Sequence, residues 1–398
     1  MWAYVSVASK SSQSLILLSA VFFSWGLLTS ANSILVPYFQ STFSLSYEQS
    51  MLVQLAFYFA PFAISIPTSA LMARKGYKLS LAVALILTFL GSLFLCISLY
   101  ADSFVFALSA VFITAMGVAA LQVVANPYII RTSNDQNETK RLTIASTFNS
   151  LGTTIGPIVL GVAMISIGLS NIYLVLSALL VLLACTLYSS SITDYRSAES
   201  VKILSHLATL RHQPQFIFGA ATIFVYVGVE VSIGTVTISY LSDPNIGGFS
   251  APVAATLMSL YWAGSLLGRF GYSIFAQRLS AMNTLFSGAC IAMILLSVAI
   301  LSPSLFGGVA LIMIGLCNSF MYPIIFSRAV SGLGDASGAA SAILIMCGIG
   351  GGIIPMMQAT LITRFDIPTS YLIPVLCYAF IASFAFIAKK RGLSIVTA

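Results

Sequence analysis

The sequence predicts an all-α membrane protein whose twelve transmembrane helices form two pseudo-symmetric six-helix bundles. Three observations carry that prediction. Only 7% of the 398 residues are charged, 59% are hydrophobic and the mean hydropathy is +1.02, whereas a soluble domain needs about a quarter of its residues charged to face water. Apolar stretches of about 20 residues recur along the whole length, each long enough to cross the hydrocarbon layer as a helix. Basic residues gather in the short polar loops between those stretches, as membrane topology requires.

The apolar runs place spans at 13–43, 48–73, 79–100, 103–130, 141–168, 170–192, 214–242, 252–276, 281–301, 304–330, 335–363 and 368–388, bounded by Gly, Pro and polar clusters. The first run is too long for a cleavable signal and continues into the fold. An even number of spans puts both termini on one side. Lys10, Arg74, Lys75, Lys78, Arg131, Lys140, Arg141, Arg196, Lys202, Arg211, Arg278, Arg328, Lys389, Lys390 and Arg391 then share that side, which is fifteen of the seventeen basic residues. Arg364 falls on the other side and Arg269 within a helix. The basic side is the cytoplasmic one, and a bacterial inner membrane is the expected location. The net charge of +7 is therefore topological and does not point to nucleic acid.

The polar segment 193–213 divides six spans from six. It marks an N-terminal bundle at 1–192, a cytoplasmic linker, and a C-terminal bundle at 214–398. His206 and His212 in the linker have no third ligand nearby and are read as solvated residues, so no metal or other cofactor is expected. The six cysteines (Cys96, Cys185, Cys290, Cys317, Cys347, Cys377) lie in apolar stretches without metal or disulfide spacing and are read as small core residues. The halves echo each other. Asn126-Pro127-Tyr128-Ile129-Ile130 matches Tyr322-Pro323-Ile324-Ile325-Phe326, and Gly152-Thr153-Thr154-Ile155-Gly156-Pro157 matches Gly350-Gly351-Gly352-Ile353-Ile354-Pro355. The prolines are offset by 196 residues (Pro127 to Pro323) and 198 (Pro157 to Pro355). Two such halves related by an axis along the membrane normal are a transporter arrangement, with a site near the midplane. The triple glycine has no Lys and lies in an apolar helix, so close packing or a hinge is expected rather than phosphate binding.

Polar groups that persist in hydrocarbon should face the interior. Helical spacing sets Gln54 with Tyr58, Gln122 with Asn126, Tyr226 with Glu230, and Asn318 with Tyr322 on common faces. Ser146, Asn149 and Thr153 share a face of the fifth span, as do Tyr261, Ser265 and Arg269 in the eighth. Asn32 and Ser33 lie in the first span and Gln358 in the eleventh. Amides both donate and accept, as sugar hydroxyls do, and aromatic rings cover the apolar face of a pyranose. Asn32, Gln54, Tyr58, Gln122, Asn126, Asn149, Tyr226, Tyr261, Asn318, Tyr322 and Gln358 are therefore the candidate substrate contacts. The competing reading of each is interhelical hydrogen bonding that holds the bundle together; Ser146 and Ser265 are left with it.

Glu230 is the one carboxylate deep in a predicted span and Arg269 the one base. Sixteen residues separate Glu230 from Pro214, about 24 Å of helix, and nine separate Arg269 from Arg278, about 14 Å. They differ in depth by roughly 10 Å, so they pair only if Arg269 extends upward. A buried carboxylate in a transporter is a candidate proton carrier, and the alternative is a structural carboxylate held by hydroxyls or by Arg269.

Phe22-Phe23-Ser24-Trp25-Gly26, the run from Ala120 to Tyr128, and the run from Phe148 to Pro157 resemble the fucose–galactose–glucose:proton symporter family of the major facilitator superfamily. Tyr226-Val227-Gly228-Val229-Glu230, Gly315-Leu316-Cys317-Asn318-Ser319, Asp243-Pro244-Asn245-Ile246-Gly247-Gly248 and Pro374-Val375-Leu376-Cys377-Tyr378 resemble its glucose/galactose branch. The resemblance spans nearly the whole chain and implies the major facilitator fold. Four departures stand out. The family's span 1 pair is Asn-Asp, its Asp implicated in proton coupling, and here it is Asn32-Ser33. The family's Gln three residues before the Phe-Asn-Ser asparagine is Ser146. The fucose branch's coupling Glu is Gln122, as in the glucose branch. In the loop Arg74-Lys75-Gly76-Tyr77-Lys78 the cations of the general facilitator motif remain, with Ala73 in the usual acidic neighbourhood.

The function expected is secondary transport of a small polyhydroxylated, hexose-like solute by a monomer in the lipid bilayer. It proceeds by alternating access, driven by protons through Glu230, driven by another cation, or uncoupled. The alternatives are import or export of another hydroxylated or anionic metabolite, such as a siderophore-like carboxylate held by Arg269, and a transport-dead sensor. No catalytic constellation points to an enzyme.

Overall fold

The computed structural model describes residues 2–132, 138–195, 210–275, 278–333 and 336–390. Among these, twelve helices are long and apolar enough to cross a membrane. The chain is an integral membrane protein. In the first half the helices are span 1 (Trp2–Thr42), span 2 (Leu52–Lys75, after a short helix at Tyr47–Ser50), span 3 (Tyr77–Tyr100), span 4 (Phe104–Arg131), span 5 (Glu138–Ile167) and span 6 (Leu169–Ser189). In the second half span 7 is Pro214–Ser242, span 8 Ala251–Phe275 and span 9 Ala281–Leu301. Span 10 runs Leu305–Asn318 and then Met321–Val330. Span 11 runs Ser337–Met346, a 3-10 turn at Cys347–Ile349, then Gly350–Arg364. Span 12 is Leu372–Lys390, after a short helix at Ile367–Ser370.

Local chemistry explains the boundaries. Ser46 Oγ accepts from the Gln49 N–H at 3.2 Å while Gln49 Oε1 accepts from the Ser46 N–H at 2.9 Å, a reciprocal cap that starts the short helix before span 2. Pro214 opens span 7, where its missing N–H costs nothing. Asp366 caps the helix before span 12 by accepting the Thr369 N–H at 2.6 Å. Two expected spans are less regular than their apolar patterns. The run 304–330 is interrupted at Ser319-Phe320, and 335–363 tightens into the 3-10 turn just before the triple glycine. The break in span 10 sits four residues before Pro323, which supplies no N–H to the Ser319 carbonyl.

The chain clusters into two compact units, the first holding residues up to 32 with 59–200, the second holding 33–58 with the rest. In the first unit, glycines bring spans 1 and 5 into backbone contact. A Cβ on Gly26 would strike the Asn149 carbonyl, one on Gly152 the Phe23 carbonyl, and one on Gly156 the Ser30 hydroxyl. This is the small-residue packing that membrane helices use where water drives nothing. Spans 2 and 3 turn at Gly76, whose φ of 90° only glycine adopts readily. There the Lys78 N–H donates to Asp194 Oδ1 at 3.0 Å, Lys78 Nζ donates to the Ser190 carbonyl at 2.6 Å, and the Tyr77 N–H donates to the Tyr195 carbonyl at 2.9 Å. Asp194 thus brings to this basic loop the acidic group that its own sequence lacks.

In the second unit the triple glycine is a packing surface. Gly350 abuts the Phe224 carbonyl of span 7, Gly351 the Tyr58 ring and Gly352 the Leu55 backbone. Beside it Gln54 Nε2 donates to Thr235 Oγ1 at 2.7 Å, and Tyr47 Oη donates to Ser239 Oγ at 3.1 Å. Residues 47–58 are therefore fastened to spans 7 and 11 by both packing and hydrogen bonds. Cys96, Cys317 and Cys377 are buried and Cys290 and Cys347 half-buried, but Cys185 is exposed on the outer face of span 6. For Cys185 the core reading is corrected: an apolar run alone does not tell a lipid-facing side chain from a core one. His206 lies outside the described residues, as do the centres of the 131–141 loop and of the 193–213 linker.

Candidate functional site

Glu230 lies midway along span 7 and is only partly buried. Tyr226, one turn earlier, donates its hydroxyl to Glu230 Oε1 at 2.8 Å, and the same hydroxyl lies 2.9 Å from the main-chain carbonyl of Asn318. Tyr58, Tyr261, Tyr322 and Tyr378 are all within electrostatic reach of the carboxylate. Five phenol rings, from spans 2, 7, 8, 10 and 12, therefore converge on one acid. Tyr322 packs tilted against Tyr226 with centroids 6.1 Å apart and stacks on Phe326 at 5.7 Å. Tyr261 meets Trp262 edge-on at 5.0 Å.

Asn318 is the hub of this cluster. Its Nδ2 donates to Tyr261 Oη at 2.7 Å, and its Oδ1 accepts from Tyr378 Oη at 2.7 Å. It is 0% exposed, so its amide fixes the tyrosines from within. Arg269 is exposed and extends its Nε to the Ser319 carbonyl at 3.3 Å while lying within electrostatic reach of Glu230. The two neighbouring carbonyls at the span 10 break are thus held by two of the side chains that act on the carboxylate.

Of the remaining candidates, Gln54 and Gln358 belong to the second unit and Asn32, Gln122, Asn126 and Asn149 to the first. Gln54 is fully buried against Thr235, and Gln358 is fully buried with Nε2 donating to Ser370 Oγ at 3.0 Å. Asn149 donates Nδ2 to the Phe22 carbonyl at 3.0 Å in the span 1–span 5 seam. Asn126 donates to the Gln122 carbonyl one turn back at 3.0 Å, with both side chains half-buried on span 4. Asn32 is buried at 3% exposure. The structure thus gathers Tyr58, Tyr226, Glu230, Tyr261, Asn318 and Tyr322 into one cluster, with Arg269 at its side. Tyr378 joins them and is absent from the sequence-based set. Its signal was present in the Pro374–Tyr378 motif, but a lone tyrosine in an apolar span reads equally as core. Among the described residues no group of three His, Cys, Asp or Glu side chains could hold a metal.

The profile of the Major Facilitator Superfamily matches residues 17–356, and the chain belongs to that superfamily. Within it, the chain is 35% identical over 388 residues to the glucose/galactose transporter of Brucella abortus biovar 1 (strain 9-941), covering 94% of this chain and 93% of that one. It is 30% identical over 408 residues to the L-fucose-proton symporter of Escherichia coli K12, covering 93% and 91%. A crystal structure of a point variant of the E. coli fucose:proton symporter superposes with a TM-score of 0.70 at 27% identity, covering 94% of this chain and 98% of that one.

Proposed function

We propose that this chain is a secondary transporter of a hexose-like sugar, driven by protons through Glu230. The observation that carries the reading is the tyrosine-lined carboxylate in the second unit. It combines hydroxyl donors and aromatic faces suited to a pyranose with the one acid deep in a described span. The names of the relatives support the sugar class and proton drive. We further assign the chain to the bacterial inner membrane as a monomer in the lipid bilayer, with both termini cytoplasmic and bundles at 1–192 and 214–398 joined by 193–213. The family's span 1 carboxylate is replaced by Ser33 and the fucose branch's Glu by Gln122, and neither can carry a charge at working pH. A proton-driven cycle needs a site whose charge changes, which leaves Glu230.

The test is Glu230→Gln in proteoliposomes, which keeps the shape and removes the titration. Accumulation of radiolabelled D-galactose or D-glucose driven by a pH gradient is expected to disappear, while movement down the sugar gradient persists. Accumulation with unchanged pH dependence would remove Glu230 from the mechanism. Wild-type protein that moves both sugars without regard to the pH gradient would make this member a facilitator or a user of another ion.

A further inference from the structure

Span 10 is discontinuous beside the carboxylate, and its freed backbone is held by two of the groups that act on Glu230. Pro323 lacks the N–H that would bond the Ser319 carbonyl in a continuous helix. Arg269 Nε occupies that carbonyl instead. The carbonyl of Asn318, the last residue before the break, lies 2.9 Å from the Tyr226 hydroxyl, whose other acceptor is Glu230 at 2.8 Å. A phenol has one hydrogen, so these two acceptors compete for it.

We propose that the break in span 10 is the element that senses the charge state of Glu230, with Tyr226 as the positioning residue between them. The inference rests on the reading of Glu230 as the proton carrier. With Glu230 ionised, the Tyr226 O–H donates to Oε1, and Asn318 is released to its side-chain bonds with Tyr261 and Tyr378. When a proton arrives from water, the new carboxyl O–H donates to Tyr226 Oη, and the phenol hydrogen turns to the Asn318 carbonyl. The phenol O–H bond is never broken. One proton is added to the carboxylate and later leaves to water, and one hydroxyl rotor turns. The protonated state thereby gains a bond that fastens span 7 to the break, and the ionised state loses it. The other groups facing the carboxylate are Tyr58 from span 2, Tyr261 and Arg269 from span 8, Tyr322 from span 10 and Tyr378 from span 12. Tyr226 is placed to act between them because its one hydroxyl touches both the carboxylate and a carbonyl at the break.

The experiment records pH-gradient uptake of radiolabelled D-galactose across external pH for wild type, Tyr226→Phe, Pro323→Ala and Glu230→Gln. Pro323→Ala returns a helical N–H to the Ser319 carbonyl, and Pro323 is exposed and carries no titratable group. Both Tyr226→Phe and Pro323→Ala are expected to displace the pH of half-maximal uptake. A Tyr226→Phe/Pro323→Ala double variant, recorded in the same way, is expected to be displaced no further than the larger single, because both act on one coupling. A merely structural role for the break would change the rate and leave the pH profile in place. If Tyr226→Phe does not assemble, Pro323→Ala decides alone. A flat Glu230→Gln profile with Pro323→Ala at the wild-type position overturns this inference and keeps Glu230 as carrier. A Glu230→Gln profile equal to wild type overturns the carrier reading itself.

Discussion

At the residue scale the cluster shows how a polar side chain in a membrane protein can be fully engaged and still decide function. Asn318 is fully buried, with both ends of its amide and its carbonyl hydrogen-bonded. Tyr378→Phe keeps the ring and deletes one donor, so Asn318 Oδ1 loses its partner in a buried site. Leaving such an acceptor unmade costs about 1–3 kcal/mol. The expected outcome is a lower melting temperature in detergent together with weakened D-galactose transport, because the amide that orients Tyr261 is no longer fixed. A variant that melts and transports like wild type would show that Tyr378 is only core. Asn318→Asp is the harsher change. It removes the donor to Tyr261 and sets a second acid beside Glu230, and it is expected to abolish proton-driven accumulation even where folded protein is recovered. These roles were half-legible in the sequence. The spacing of Tyr226 with Glu230 put both on one helical face, and they bond. Which groups answer from other spans was not legible, since Asn318 is 92 residues from Tyr226 and 60 from Tyr378.

At the element scale, lipid makes helices readable and leaves their interruptions obscure. Every backbone polar group in hydrocarbon must be satisfied within the protein, and a helix does so within its own segment, so twelve apolar runs become twelve helices, most with ends shifted by a few residues. The largest shift is at the start of span 1. The break at Ser319-Phe320 escaped the pattern because hydropathy does not change across it. What sustains it is donors from spans 7 and 8, far away in sequence. The turn at Gly76 is a similar case. The loop Arg74-Lys75-Gly76-Tyr77-Lys78 lacks a neighbouring acid, yet Asp194 supplies one across 116 residues. A Cβ at Gly76 would lie 2.6 Å from Asp194 Oδ1, in a backbone region that costs about 1–3 kcal/mol for any other residue. Gly76→Ala is therefore expected to lower the melting temperature. Asp194→Asn keeps an acceptor for the Lys78 N–H and is expected to be milder than Asp194→Ala. Equal effects from the two would mean that the carboxylate's charge, rather than its hydrogen bond, holds the loop.

At the scale of the whole molecule, the distribution of charge sets which way the chain faces. Fifteen of seventeen basic residues fall on one side only if the number of spans is even and each boundary is close to correct, because a missed helix would invert everything after it. The described residues contain twelve candidate spans, which preserves that parity. Short loops rich in Lys and Arg resist translocation, so the basic side should remain in the cytoplasm. A cysteine placed at Lys140, in the first turn of span 5, should then react with a membrane-impermeant maleimide in inverted vesicles and stay unlabelled in intact cells. Arg364 ends span 11 and is the one basic residue expected outside, so Arg364→Cys should show the opposite pattern. Cys185 is exposed on span 6 and is replaced first, while the buried and half-buried native thiols give the background. Labelling of both positions from the same side would break the parity and with it the placement of both termini. Labelling of Lys140→Cys from outside and Arg364→Cys from inside would keep twelve spans but turn the whole molecule over, so the two positions together separate an error in counting from an error in orientation.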